Sequence, residues 1–224
     1  MMALKARQLT FGHLEGPPLL EKGELEIGKG ECVAVTGPSG AGKSTLCHVL
    51  AGVIPRSLPG RVSGEILLFG DRLWDLPLAE TVRRVGVVFQ DPDAQLFFPT
   101  VEAEVAFGLE NLCFPEEEMA RRIGASLDLV GLSRYRCQAT QDLSQGQKQL
   151  VALAAVLALE PGLLILDEIF ASLDQQGAAV VQGVIADYKA KGRAVLLVEH
   201  DPENLPVVDR TLHLAQGKLR EVVP

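Results

Sequence analysis

The chain has 224 residues, a formal net charge of -8 and 47% hydrophobic residues. That is enough for one large α/β domain with a buried core, and it excludes a disordered chain. Its basic residues fall in isolated clusters (Arg83-Arg84, Arg121-Arg122, 189–193) with no stripe, so no nucleic-acid partner is expected.

Leu4 to Leu9 and Leu25 to Ile27 read as strands separated by a loop at Gly16-Pro17-Pro18. The aliphatic run Cys32-Val33-Ala34-Val35 then leads into Gly37-Pro38-Ser39-Gly40-Ala41-Gly42-Lys43-Ser44, and Thr45 to Gly52 reads as a helix. In this strand, Gly-rich loop, helix order the G-x-x-x-x-G-K-[ST] pattern becomes a phosphate site. Glycines let successive N–H groups turn inward as an anion nest, and the helix N-terminus adds unsatisfied donors and the positive end of its dipole. Lys43 is expected against the β- and γ-phosphates of a nucleotide, with the Ser44 hydroxyl on Mg²⁺.

Further along, Gly64 to Gly70 reads as a strand, and Val85-Gly86-Val87-Val88-Phe89 as a buried one that stops at Gln90. Pro115 opens an amphipathic helix with three glutamates in its first turn and apolar residues at Met119, Ile123, Leu127 and Val130. Ser144-Gln145-Gly146-Gln147 fits a capping box at the start of a helix to about Leu159 that reads as apolar all round. Leu163 to Leu166 reads as a central parallel strand ending in Asp167-Glu168. A helix over 175–191 and a strand from Ala194 to Val198 follow, closed by Glu199-His200-Asp201, and Thr211 to Val222 reads as a hairpin around Gln216-Gly217. Helices alternating with aliphatic strands predict a largely parallel sheet, with antiparallel strands at the start and end of the chain.

The carboxyl ends of strands in an open α/β sheet face the ligand crevice. Asp167 is therefore a candidate to hold Mg²⁺ opposite Ser44, and Glu168 to orient or deprotonate a water attacking the γ-phosphate. His200 ends a strand on the same edge. The capped N-terminus at Ser144 is a second anion site far along the chain, and it would join two molecules if it met the other's γ-phosphate. Cys32, Cys47, Cys113 and Cys137 are widely spaced and read as free thiols of a reducing compartment. Leu4-Lys5-Ala6-Arg7 is unlike a signal peptide, and the longest uncharged apolar run, Leu150 to Leu159, is about half of a membrane span.

Together these residues resemble the ABC-type ATPases. Gly37 to Ser44 matches Walker A, Gln90 the Q-loop, and Leu143 to Gln147 the signature. Leu163 to Glu168 matches Walker B, Ser172-Leu173-Asp174 the D-loop, and His200 the switch histidine. The motifs keep the family's order over nearly the whole chain. The resemblance implies a P-loop NTPase fold over 1–224, with a helical subdomain at about 91–160 inserted in a RecA-like core and an antiparallel β part. It implies ATP and Mg²⁺ on Gly37 to Thr45, Gln90 and Asp167, with Glu168, His200 and Gln90 catalytic. Ser144, Gly146 and Gln147 would be contributed to the nucleotide of a second ATPase subunit.

Phe89 to Phe97, Pro99-Thr100-Val101 and Ala106-Phe107-Gly108 look like the energy-coupling-factor importers, a group that takes up vitamins, cobalt and nickel. By that likeness Gln95 to Val101 would meet an integral-membrane coupling subunit, at the cytoplasmic face of the membrane. The other reading of Leu96, Phe97 and Phe98 is a loop packed on the domain's own core. Four positions depart from the family: Gln145 for the usual Gly, Leu150 for a common Arg, Ile169 for the usual Pro, and His13, with Phe11 nearby, at the position that often stacks on adenine. Gln145 bears on the site completed in trans, so equal activity of two sites is not implied. The chain ends soon after the hairpin, short of the C-terminal extension common in energy-coupling-factor ATPases, so the likeness implies nothing about pairing without nucleotide.

Three rivals share parts of this pattern. A DNA-repair or chromosome-structure ATPase needs a long coiled-coil insertion, and a ribosome-associated ABC protein normally has two such domains with basic linkers. A small-molecule P-loop kinase would phosphorylate an acceptor and need no dimer.

Overall fold

A computed structural model describes residues 2–199 and 206–222. The chain opens with strands β1 (Met2–Gly12) and β2 (Leu20–Gly28), then β3 (Cys32–Thr36) and helix α1 (Lys43–Leu50). Strands β4 (Arg61–Leu68) and β5 (Asp71–Arg72), helix α2 (Leu78–Arg84) and strand β6 (Val85–Val88) follow. Three helices come next, α3 (Val101–Asn111), α4 (Glu116–Leu129) and α5 (Gln145–Ala158). The chain then runs through β7 (Leu163–Asp167), α6 (Gln175–Ala190), β8 (Ala194–Val198), β9 (Arg210–Ala215) and β10 (Lys218–Val222).

Two sheets result. One is antiparallel, in the order β2-β1-β4-β5. The other runs β10-β9-β3-β8-β7-β6 and is parallel except for the β9–β10 hairpin. The predicted parallel core with antiparallel strands at both ends of the sequence is what forms. In the parallel sheet every residue of β7 and β8 is buried, and the strands alternate between two hydrophobic clusters. Leu164, Leu166, Val195 and Leu197 face the cluster under α3 to α6, while Leu163, Ile165, Leu196 and Val198 face the one shared with α1 and the antiparallel sheet. Continuous aliphatic runs are what a sheet covered on both faces requires.

Two helices were not legible in the sequence. In α3, Glu104 is only 5% exposed because its carboxylate turns back to accept the Phe97 and Phe98 N–H groups (2.8 and 2.7 Å), which breaks the amphipathic pattern. Helix α2 has seven residues, too few for a 3.6-residue period to register. Helix α5 corrects the expectation of an all-apolar surface: Gln149 is fully buried within it and reaches across to the Phe89 carbonyl (2.9 Å). Among the described residues, no helix is long and apolar enough to cross a membrane.

Candidate nucleotide site

The phosphate loop joins the carboxyl end of β3 to the first turn of α1. A side chain at Gly37 would put its Cβ 2.2 Å from the Leu214 carbonyl oxygen, so only glycine lets the loop leave the sheet beside β9. Gly42 caps α1 in the left-handed region (φ 97°) and supplies no side chain to the cap. The first-turn N–H groups of a helix have no partner within it and, with no capping side chain, are left for an anion.

His13, Leu19, Ser39, Gly40, Gly42, Lys43, Ser44, Thr45, Gln90 and Glu168 line one cavity of about 300 Å³. Of the expected loop residues, Gly37 and Pro38 instead accept the Lys43 ammonium on their carbonyls (3.0 and 3.2 Å), and Ala41 packs on the core. Lys43 is 7% exposed, and its Nζ stands 3.8 Å from Glu168 Oε1. Glu168 Oε2 accepts a hydrogen bond from Gln90 Nε2 (2.7 Å). The acid is thus held between a cation and an amide, in the left-handed region (φ 49°), with its N–H on the Val198 carbonyl of the next strand.

Asp167 ends β7 at 2% exposure with its Oδ1 unpartnered. Burial raises its pKa above the usual carboxylate range, the Ser44 hydroxyl opposes this by hydrogen bonding, and the Glu168 charge adds to the rise. An orphaned buried carboxylate oxygen beside a hydroxyl is a hard donor pair that fits Mg²⁺. Among the described residues no group of three or more His, Cys, Asp or Glu could hold a metal by itself. A cation here therefore needs oxygens from nucleotide or water, which is the usual mode for Mg²⁺.

Phe11 is 1% exposed in the antiparallel-sheet core and cannot stack on a base, whereas the exposed His13 lines the cavity beside Leu19. His200 lies outside the described residues. Leu19, which sequence reasoning passed over, is a lone aliphatic with no pattern to mark it.

Ser144, Gly146 and Gln147 do not reach this cavity. They line a second one of about 430 Å³ with Gln145, Leu150, Arg134, Tyr135, Ser172 and Asp174. Ser144 Oγ accepts from the Gln147 N–H (3.3 Å) and Gln147 Oε1 accepts from the Ser144 N–H (2.9 Å), so the expected capping box is present. A Cβ at Gly146 would meet the Ser172 carbonyl oxygen at 2.9 Å. The loop after Gln90 divides between its two expected readings. Leu96 packs on the core and Phe98 lies against Phe107 (ring centroids 4.8 Å apart), while Phe97 is 74% exposed.

Fold and site together define a P-loop nucleotide-binding protein of α/β type. The family model described as "ABC transporter" matches residues 20–171, and the chain belongs to that family. It is 37% identical to the energy-coupling factor transporter ATP-binding protein EcfA of Methanothermobacter thermautotrophicus, over 96% of this chain and 69% of that one. Among solved structures it is similar to cbiO1 of Clostridium perfringens, described as part of the ABC transporter complex cbiONQ, with a TM-score of 0.84, 32% identity, and 97% of this chain and 86% of that one covered. It is also similar to the ATP-binding cassette MJ0796 in a dimeric post-hydrolysis state bound to ADP and Pi, with a TM-score of 0.84, 26% identity, and 98% and 97% covered. The chain spans only 34% to 42% of the length of several curated relatives that it matches at 39% to 42% identity.

Proposed function

We propose that this chain is the ATP-binding and ATP-hydrolysing subunit of an importer of energy-coupling-factor type, powering uptake of a metal ion or vitamin through membrane partners. One observation carries the reading: the phosphate cavity and the Ser144–Gly146 end of α5 are separate surfaces of one chain. Each cavity has what the other lacks, so a second ATPase subunit, identical or homologous, completes it. The helices at about 91–160 act as a subdomain inserted in the core. The likeness to EcfA and cbiO1 supports the importer class.

In this reading Gly40, Gly42, Lys43, Ser44 and Thr45 grip the phosphates, and His13 and Leu19 flank the base. Ser44, Asp167 and Gln90 would hold Mg²⁺, which supplies Lewis-acid neutralisation of the phosphate oxygens when bound. Glu168 orients the attacking water and accepts its proton as oxygen bonds to the γ-phosphorus; the bond to the β-phosphate oxygen breaks, and ADP and phosphate form. His200, next along from Glu199, is assigned to the γ-phosphate. Separation of the pair then moves the membrane subunit.

The contact with that subunit is assigned to Gln95–Val101, at the cytoplasmic face of the membrane. Phe97 is its anchor, an exposed aromatic on a loop held rigid by Glu104. The test is purification of the tagged full chain from membranes of its own cells. An integral-membrane protein is expected to come with it and to be lost by about tenfold in Phe97→Asp. Recovery of the chain with no integral-membrane protein attached contradicts the transport reading.

A further inference from the structure

The segment that carries Gln90 into the phosphate cavity is tied by side chains both within its own loop and from α5. The Phe89 N–H donates to Gln95 Oε1 (3.0 Å), and the Phe89 carbonyl accepts from Gln149 Nε2 (2.9 Å). Three residues past Gln90, Asp93 Oδ2 accepts from Gln145 Nε2 (2.7 Å) and Asp93 Oδ1 from Lys148 Nζ (2.6 Å). Together the two donors hold the Asp93 carboxyl below its usual range. Residues at i, i+3 and i+4 share one face of a helix, so Gln145, Lys148 and Gln149 present a single row of donors to the Gln90 segment. The same first turn of α5 holds Ser144 and Gly146 in the other cavity.

We propose that Asp93, Gln145 and Lys148 are positioning residues forming a latch that makes the Gln90 segment and the first turn of α5 move as one body. Gln90 touches Glu168 in this chain's own phosphate cavity, while Ser144 and Gly146 serve the nucleotide held mainly by the partner. The latch therefore ties the state of one nucleotide to the geometry offered to the other. On this account Gln145 is the loop-side handle of the helix and leaves Gly146 to meet phosphate. This transmission rests on the trans-completed site proposed above, whereas the mechanical link within one chain does not.

Amide hydrogen exchange of the full, nucleotide-free chain tests the link. Asp93→Ala is expected to speed exchange at Gln147 and Lys148 about threefold, and Lys148→Ala to do the same at Gln95 and Leu96. Asp93→Lys with Lys148→Asp is expected to restore both, because the Gln145 amide can offer oxygen instead of nitrogen. Loosening confined to each variant's own segment, or a swap that restores nothing, overturns the latch.

A second readout separates the two claims. In a Glu168→Gln background, Asp93→Ala is expected to raise the ATP concentration for half-maximal pairing about threefold, with single-chain ATP affinity changed by less than about twofold. Unchanged pairing overturns the transmission role. Absence of any pairing in Glu168→Gln alone counts against the dimer, and the exchange result still decides the latch.

Discussion

At the N-terminal end of α1 the cap is a glycine in the left-handed region, and no side chain accepts from the first turn. At the N-terminal end of α5, Ser144 and Gln147 satisfy each other's backbone donors. Both ends attract anions by the same dipole. They differ in what occupies them without a ligand. The α1 end keeps its donors free and adds Lys43, held in place by two carbonyls, so it can grip phosphate unaided. The α5 end is already closed on itself and has no cation of that kind in its first turn apart from Lys148, which is engaged with Asp93. In the proposed function one end binds phosphate in its own right, and the other does so only when a phosphate is brought to it.

The largest effect that separates the two ends is expected from Lys43→Ala. Removing the buried cation should weaken ATP binding to the single chain on the order of 100-fold, measured by titration with a fluorescent nucleotide. Exchange of the α5 first turn should stay unchanged. Gly146→Ala should do the converse. Its Cβ collides with the Ser172 carbonyl, so the helix end must shift. Pairing with Mg·ATP should weaken about tenfold while single-chain affinity is retained. If Gly146→Ala weakens single-chain binding as much as pairing, the two ends are not separate in function.

The smallest effect concerns Asp167, on the α1 side. Its folded carboxyl binds a proton more tightly than the unfolded one, so ionisation opposes folding. That cost is absent below the unfolded value, about 3.9, and grows as pH rises through the raised folded value. Asp167→Asn should therefore raise Tm by about 2–4 °C at pH 7 with no nucleotide, and the gain should fade towards pH 3. A gain independent of pH would mean that Asp167 is not the group being relieved.

These contrasts also mark what could be read from the sequence. The phosphate loop was legible because its parts are contiguous: a strand, glycines at fixed spacing, and a helix whose N-terminus does the work. The parallel sheet was legible because both faces of β7 and β8 are covered, leaving runs of aliphatics. The α5 cap was legible from Ser144 and Gln147. The Gln90–Glu168 hydrogen bond joins residues 78 apart and has no local signal: the strand-end position marked Glu168, and only the resemblance marked Gln90. Asp93 and Gln145 are 52 apart, and nothing in either segment names the other. Helix α3 was hidden because a buried Glu104 serves the preceding loop where the helical pattern calls for an apolar residue.

Solution sizing of the Glu168→Gln chain with saturating Mg·ATP tests the central claim most directly. Turnover should fall on the order of 1,000-fold with the base gone, and the chain should run at twice its single-chain mass, alone or mixed with the other ATPase of its membrane complex. A hydrolysis-dead chain that binds ATP and still runs as a monomer with both would contradict a site shared between two copies.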